Sequence, residues 1–231
     1  MNVIISPSLM CMNLLDVRKE IEILSEYAGE FHADILDYHY CKNLSLSPDF
    51  IKAVTSITDI PVEAHLYVDN IDLDLVKMCA DAGASIVTMP PEVIGRQMFA
   101  IKRYLDSRNV KFGISLNPSV PVSVIEPYIG IIDRLIVLSV DPGFAGQPFI
   151  DTTFERIREA CALREKHHAH FTVASDGCCN EKYYKELYEA GADVFVLGGS
   201  GLFGKSKDTE EALKIAVNYV EEAVKGGRNH E

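Results

Sequence analysis

No stretch of this 231-residue chain approaches the roughly 18–20 consecutive apolar residues of a membrane span, which argues against a bilayer-crossing helix. Basic residues are outnumbered. Lys and Arg total 22 against 34 Asp and Glu, a formal charge of −12. That balance speaks against a nucleic-acid backbone or an anionic membrane as the main partner, but leaves room for a small anion at a local site. The segment Met1–Met12 lacks a basic stretch followed by a long apolar one, so it does not read as a secretory signal, and a cytoplasmic protein is expected. There is no CxxC pair. Cys11, Cys41, Cys79, Cys161, Cys178 and Cys179 are dispersed and, without secretion, read as reduced thiols. No linker rich in Pro, Gly or Ser and no low-complexity segment divides the chain, so residues 1–231 are expected to form one domain.

What is present is a repeat of short apolar, β-branched runs separated by helical patterns. The strand candidates are Val3–Ser6, Phe31–Leu36, Val62–Leu66, Ser85–Met89, Lys111–Leu116, Arg134–Val140, Phe171–Ser175 and Val194–Leu197. Uninterrupted apolar strands suit a parallel sheet covered on both faces. Between them, Asn13 is placed to cap a helix presenting Leu14, Val17, Ile21 and Leu24. Ser47-Pro48 reads as an N-cap followed by proline at the first helical position. Tyr184, Leu187 and Ala190 lead into Gly191, a helix stop. Asp81-Ala-Gly-Ala-Ser-Ile-Val87 echoes Glu189-Ala-Gly-Ala-Asp-Val-Phe195, each a helix end, a glycine and a buried strand. Eight such units in this length predict an α/β fold, a (β/α)8 TIM barrel. A doubly wound sheet is the alternative. It more often carries a glycine-rich fingerprint after the first strand, and Ser6-Pro7-Ser8-Leu9 is not one.

In such a barrel, ligands bind at the carboxyl ends of the strands. Strand two carries His32 and Asp34, which point to one face because they are two apart. Strand three ends at His65 and strand seven at Asp176. Two imidazoles and two carboxylates make a plausible ligand set for a divalent metal. Taken singly, each would equally suit a solvated loop mouth. Gly198-Gly199-Ser200-Gly201 after strand eight can offer backbone N–H groups to an anion. Asp141-Pro-Gly-Phe-Ala-Gly-Gln147 after strand six suits a mobile loop closing over a ligand.

Taken in order, Ser6-Pro-Ser-Leu9, His32-Ala-Asp-Ile-Leu-Asp37, His65-Leu66, Asp141–Gln147, Asp176-Gly177 and Gly198-Gly-Ser200 resemble the ribulose-phosphate 3-epimerase family over nearly the whole chain. Ser8–Met12, Gly143–Ile150, Asp176–Asn180 and Ser200–Phe203 look most like the branch acting on D-allulose 6-phosphate. The resemblance implies a metal-dependent isomerase that inverts C3 of a ketose phosphate, with D-ribulose 5-phosphate as the alternative substrate. It implies Asp34 and Asp176 as the acid/base pair, and a metal on His32, Asp34, His65 and Asp176. That metal would be zinc first, with iron, manganese, cobalt or magnesium as alternatives. Substrate contacts are implied for Ser8, His65, Gly143, Phe144, Ala145, Gly146, Gly177, Gly198, Gly199 and Ser200, and a homo-oligomer is implied as well.

Some positions depart from the family pattern. Met-Asp-Gly-His-Phe is here Leu36-Asp-Tyr38-His-Tyr40, and His-Leu-Met is His65-Leu-Tyr67. A methionine before the strand-six loop is Leu138, and a histidine after strand four is Pro90. The two tyrosines at 38 and 67 are expected to narrow or re-polarise the pocket. Lys42 reads as a surface loop lysine or a reach toward a substrate anion. Decarboxylases of this fold use Asp-x-Lys-x-x-Asp, and Asp34-Ile-Leu-Asp37 has no lysine at that place. A non-catalytic phosphosugar-binding barrel is the reading from another class, and the intact ligand set opposes it.

Overall fold

The structure, a computed structural model, describes residues 3–225. Eight strands alternate with helices: β1 (Ile4–Pro7), α1 (Val17–Leu24), β2 (Phe31–Leu36), α2 (Pro48–Thr55), β3 (Val62–Tyr67), α3 (Leu73–Asp81), β4 (Ile86–Met89), α4 (Pro91–Ile94), α5 (Met98–Ser107), β5 (Lys111–Leu116), β6 (Arg134–Leu138), α6 (Thr153–Lys166), β7 (Thr172–Asp176), α7 (Tyr184–Ala190), β8 (Val194–Leu197) and α8 (Thr209–Val224). Every strand pairs in parallel with its neighbour, in the order β1-β8-β7-β6-β5-β4-β3-β2. A single bridge, Ser8 to His32, and a 3.0 Å bond from the Gly29 N–H to the Ile5 carbonyl draw β1 and β2 together. The result is a (β/α)8 TIM barrel.

The strand ranges agree with the sequence expectations to within two residues. Ser47 accepts a bond from the Phe50 N–H, and Gly191 closes α7 at φ +114°. All six cysteines are free thiols. The first helix differs. Asn13 does not cap it. Its Oδ1 accepts from the Leu15 N–H in a local turn, the helix starts at Val17 behind Asp16, and Leu14 is exposed. An asparagine side chain that satisfies its own turn is not available to a helix four residues on. Between β5 and β6 the connection is a 3-10 segment, Val122–Tyr128, with Pro127 inside it. A proline there removes an N–H and favours this short form over a full α-helix.

Alternation divides each strand between two environments. Phe31, Ala33 and Ile35 of β2, and Val62, Ala64 and Leu66 of β3, join the large apolar layer beneath the helices. The residues between them, His32, Asp34 and Leu36, and Glu63, His65 and Tyr67, face the barrel interior. That interior is unusually polar toward its floor. Gly113 of β5 makes room there, since a Cβ at its position would lie 2.0 Å from Thr88 Oγ1, which donates to Glu63 Oε1 at 2.5 Å. Gly113→Ala is therefore expected to displace Thr88, break that buried bond, and cost about 2–4 kcal/mol in urea unfolding.

Candidate active site at the carboxyl end of the barrel

His32 and Asp34 on β2 stand in register with Glu63 and His65 on β3. The pairing places both imidazoles side by side. His32 Nε2 lies 3.0 Å from His65 Nδ1 and 3.1 Å from Asp34 Oδ1. Asp34 Oδ1 is 3.3 Å from His65 Nδ1. Asp176, at the end of β7, brings Oδ2 to 3.7 Å from His32 Nε2 and 3.6 Å from His65 Nδ1. These four ligand atoms all lie within 4.8 Å of one another. Ser8 Oγ donates to Asp34 Oδ2 at 3.0 Å, which fixes the other carboxylate oxygen.

The arrangement fits a cation. Ligand atoms about 2.0–2.1 Å from one ion stand about 3–3.4 Å apart, close to the spacing observed. Two imidazole nitrogens facing each other at 3.0 Å would oppose their lone pairs unless a proton or a cation lay between them. His32 turns its other nitrogen, Nδ1, to Glu63 Oε2 at 3.0 Å, a carboxylate that orients the ring.

Glu63 is itself held from below. Arg134 on β6 is buried, makes a paired contact to Glu30 with both distances 2.7 Å, reaches Glu63 at 3.5 Å, and donates from Nε to Thr172. Burial disfavours the ionised Glu63 carboxyl, but Arg134, then His32, outweigh it and hold the group near 2. Burial alone would lower the His32 imidazole. Asp34, then Glu63 and Asp176, raise it well above its ordinary value. The two site carboxylates diverge. Burial pushes both upward, yet the contacts of Asp34 with His32 and His65 bring it below its usual range. Asp176 stays raised, with burial and the Asp34 charge outweighing the histidines.

At this cluster opens a cavity lined by Asp34 and Asp176, and by Ser8, Gly143, Phe144, Ala145, Gly146, Gly177, Gly198, Gly199 and Ser200. The structure thus brings together nearly all the residues singled out from the sequence. His65 is wholly buried and does not line the cavity, whereas Tyr67 does. At the β7 end, Gly177 has φ +100°, and a Cβ there would meet Val140 at 2.5 Å, so only glycine fits. Asn180 donates to Ser200 Oγ and to the Cys178 carbonyl, knitting the β7 and β8 turns together. The loop after β6 is tied to the loop after β2 by a bond from Asn43 Nδ2 to the Gly143 carbonyl, 2.7 Å.

Of the residues that depart from the family pattern, Leu36, Tyr67 and Leu138 line the cavity. Tyr38 does not narrow it. That side chain is exposed, on a backbone at φ +68°, where the family's glycine would be at ease. Lys42 is exposed, sits 5.0 Å over the Tyr38 ring and donates to the Tyr38 carbonyl. Pro90 precedes α4 and does not line the cavity. The sequence reading passed over Glu30, Glu63 and Arg134. Glu63 carried a signal, since it shares the strand parity of His65 inside an otherwise apolar run.

Fold and site together define a (β/α)8 barrel with a two-histidine, two-carboxylate cluster suited to a divalent metal. The Ribulose-phosphate 3 epimerase family matches this chain over residues 4–203. The chain belongs to that family and is an isomerase of the carbohydrate epimerase class. A ribulose-phosphate 3-epimerase of Helicobacter pylori is 30% identical over 214 residues, 93% of this chain and 96% of that protein. One from Bacillus subtilis is 30% identical over 211 residues, covering 90% and 95%. Among solved structures, a tryptophan synthase α-subunit from Pyrococcus furiosus superposes with a TM-score of 0.70 at 12% identity, covering 96% of this chain and 98% of that one. At that identity the likeness is one of fold.

Glu63→Gln is expected to weaken divalent-metal binding about 10–100-fold in a metal titration, because it loosens the group that orients His32. It also changes acid stability. The Glu63 carboxyl is lowered in the folded state from its ordinary 4.5 to about 2, so its stabilisation is present above about 4.5 and lost as pH falls toward 2. Unfolding midpoints measured at pH 7 and pH 3 should differ less in Glu63→Gln than in the unsubstituted protein.

Proposed function

We propose that this protein is a metal-dependent epimerase inverting C3 of a ketose phosphate, with D-allulose 6-phosphate and D-fructose 6-phosphate as its substrate pair. The observation that carries the reading is the convergence of Asp34 and Asp176, from strands three apart around the barrel, on one cavity beside two histidines. His32, Asp34, His65 and Asp176 would hold a divalent ion, zinc in this proposal with iron, manganese, cobalt or magnesium as alternatives. When bound, the ion supplies positive charge that favours the enediolate.

Inversion requires one group to take the C3 proton and another to return a proton from the other face. Asp34 and Asp176 reach one cavity from strands three apart, which supports one carboxyl taking the proton and the other returning it. In the reverse direction the roles exchange. Ser8 holds Asp34 through its Oδ2 and contacts the substrate. The backbone of Gly177, Gly198, Gly199 and Ser200 seats the phosphate. Gly143, Phe144, Ala145 and Gly146 close over the ligand.

The choice of sugar rests on the stretches Ser8–Met12, Gly143–Ile150, Asp176–Asn180 and Ser200–Phe203. D-ribulose 5-phosphate is the second reading, favoured by the names of the relatives in Helicobacter pylori and Bacillus subtilis. A cytoplasmic location accords with six free thiols. A homo-oligomer follows from the family resemblance. Among the described residues no helix is long and apolar enough to cross a membrane.

Proton NMR in D2O tests the proposal. Metal-loaded protein should introduce deuterium at C3 of D-allulose 6-phosphate with formation of the inverted product, faster than with D-ribulose 5-phosphate. A faster reaction with the latter would reverse the choice of sugar. Asp176→Asn should remain folded by circular dichroism and lose epimerisation by about 10³-fold or more. Near-normal turnover in that variant would overturn the two-carboxylate mechanism.

A further inference from the structure

Tyr67 closes β3 at the rim of the cavity, and its hydroxyl is buried with no hydrogen-bond partner among the described residues. The hydroxyls of Ser6, Ser115, Thr153 and Ser175 share that condition, but none of those residues lines the cavity. The Tyr67 ring is held from two sides. It lies against His65 with ring centres 4.2 Å apart and stacks on Tyr40 at 5.6 Å and 26°. Tyr40 is itself anchored, donating to Glu92 at 2.6 Å and accepting from Asn117. Within the barrel, Tyr67 packs with Leu36, Cys41 and Leu138, and Leu36 is its register partner on β2. A fixed phenol whose buried hydroxyl lacks a partner, on a residue that lines the cavity, calls for a hydrogen-bonding group from the cavity's occupant.

Its place around the barrel indicates which part of a ligand it meets. β3 lies four strands from β7 in either direction, so Tyr67 stands across the mouth from the glycine turn that follows β7. A ketose phosphate seated with its phosphate at the β7 and β8 turns directs its unphosphorylated end toward Tyr67. We propose that the Tyr67 hydroxyl recognises the C1 hydroxyl of the ketose phosphate, making it a specificity-determining residue of this site. The inference rests on the function proposed above and adds the substrate group that this residue reads. A site built to hydrogen-bond one hydroxyl discriminates against the analogue lacking it, because its own polar group is then left unpaired.

Tyr67→Phe, assayed by C3 deuterium exchange on the preferred ketose phosphate and on its 1-deoxy analogue, separates the outcomes. The unsubstituted protein should prefer the hydroxylated substrate by about tenfold in kcat/KM, and the variant should lose that preference by slowing on it alone. Metal content and thermal unfolding, measured alongside, should be unchanged. Equal loss on both compounds, or no loss on either, would overturn the inference while leaving the epimerase reading intact. Failure of the unsubstituted protein to exchange C3 of any ketose phosphate would overturn that reading, and this inference with it.

Discussion

Arg134 can remain charged inside the barrel only because Glu30 and Glu63 hold it there. A guanidinium left unpaired at that depth would cost several kcal/mol, and the carboxylates would be as poorly placed without it. The contact has consequences upward. Glu63 accepts from Thr88 at Oε1, and its Oε2 meets both Arg134 and His32 Nδ1, which fixes the ring. His32 then aims Nε2 at the point where Asp34, His65 and Asp176 converge. The floor of the barrel thus sets the orientation of the site above it, through one line of buried polar contacts from Glu30 to the ligands.

The site places like charges close together and then differentiates them. Asp34 accepts from Ser8 and lies within contact distance of both imidazoles, which favours its ionised form. Asp176 contacts the same imidazoles at longer range and feels the Asp34 charge, which disfavours ionisation. Two carboxyls of one chemistry therefore acquire different proton affinities from position alone. A divalent ion, with its own charge, would favour the ionised form of both, so the contrast describes the protein's contribution to the site.

The barrel's inner surface changes character with height. Glu63, held by Arg134, stands level with His32, Asp34 pairs with His65 one pleat further on, and Leu36 with Tyr67 and Leu138 with Asp176 stand around the cavity. Three of the departures from the family pattern, Leu36, Tyr67 and Leu138, gather around the cavity, while Tyr38 and Pro90 lie outside it. Leu36 and Tyr67 stand two residues beyond Asp34 and His65 on their strands, so a substitution there alters the cavity wall beside those groups.

Much of this was legible in the linear order of residues. Short apolar runs, each long enough for one buried strand, marked all eight strands, and glycine or proline at the helix ends marked several boundaries, as at Gly191 and Ser47-Pro48. Parity placed His32 and Asp34 on one face, and their positions at strand ends singled them out with His65 and Asp176. The start of α1 was not legible, because Asn13 can serve a turn as readily as a helix. Nor was the partnership of Glu30, Glu63 and Arg134, residues up to 104 positions apart. The sequence by itself determined the alternation of elements, and therefore a parallel α/β fold, since periodicity is a local property. Only the tertiary structure decided which charges meet, which tyrosine enters the cavity and which stays outside, because those depend on strand register and ring closure, and neither is written in any one segment.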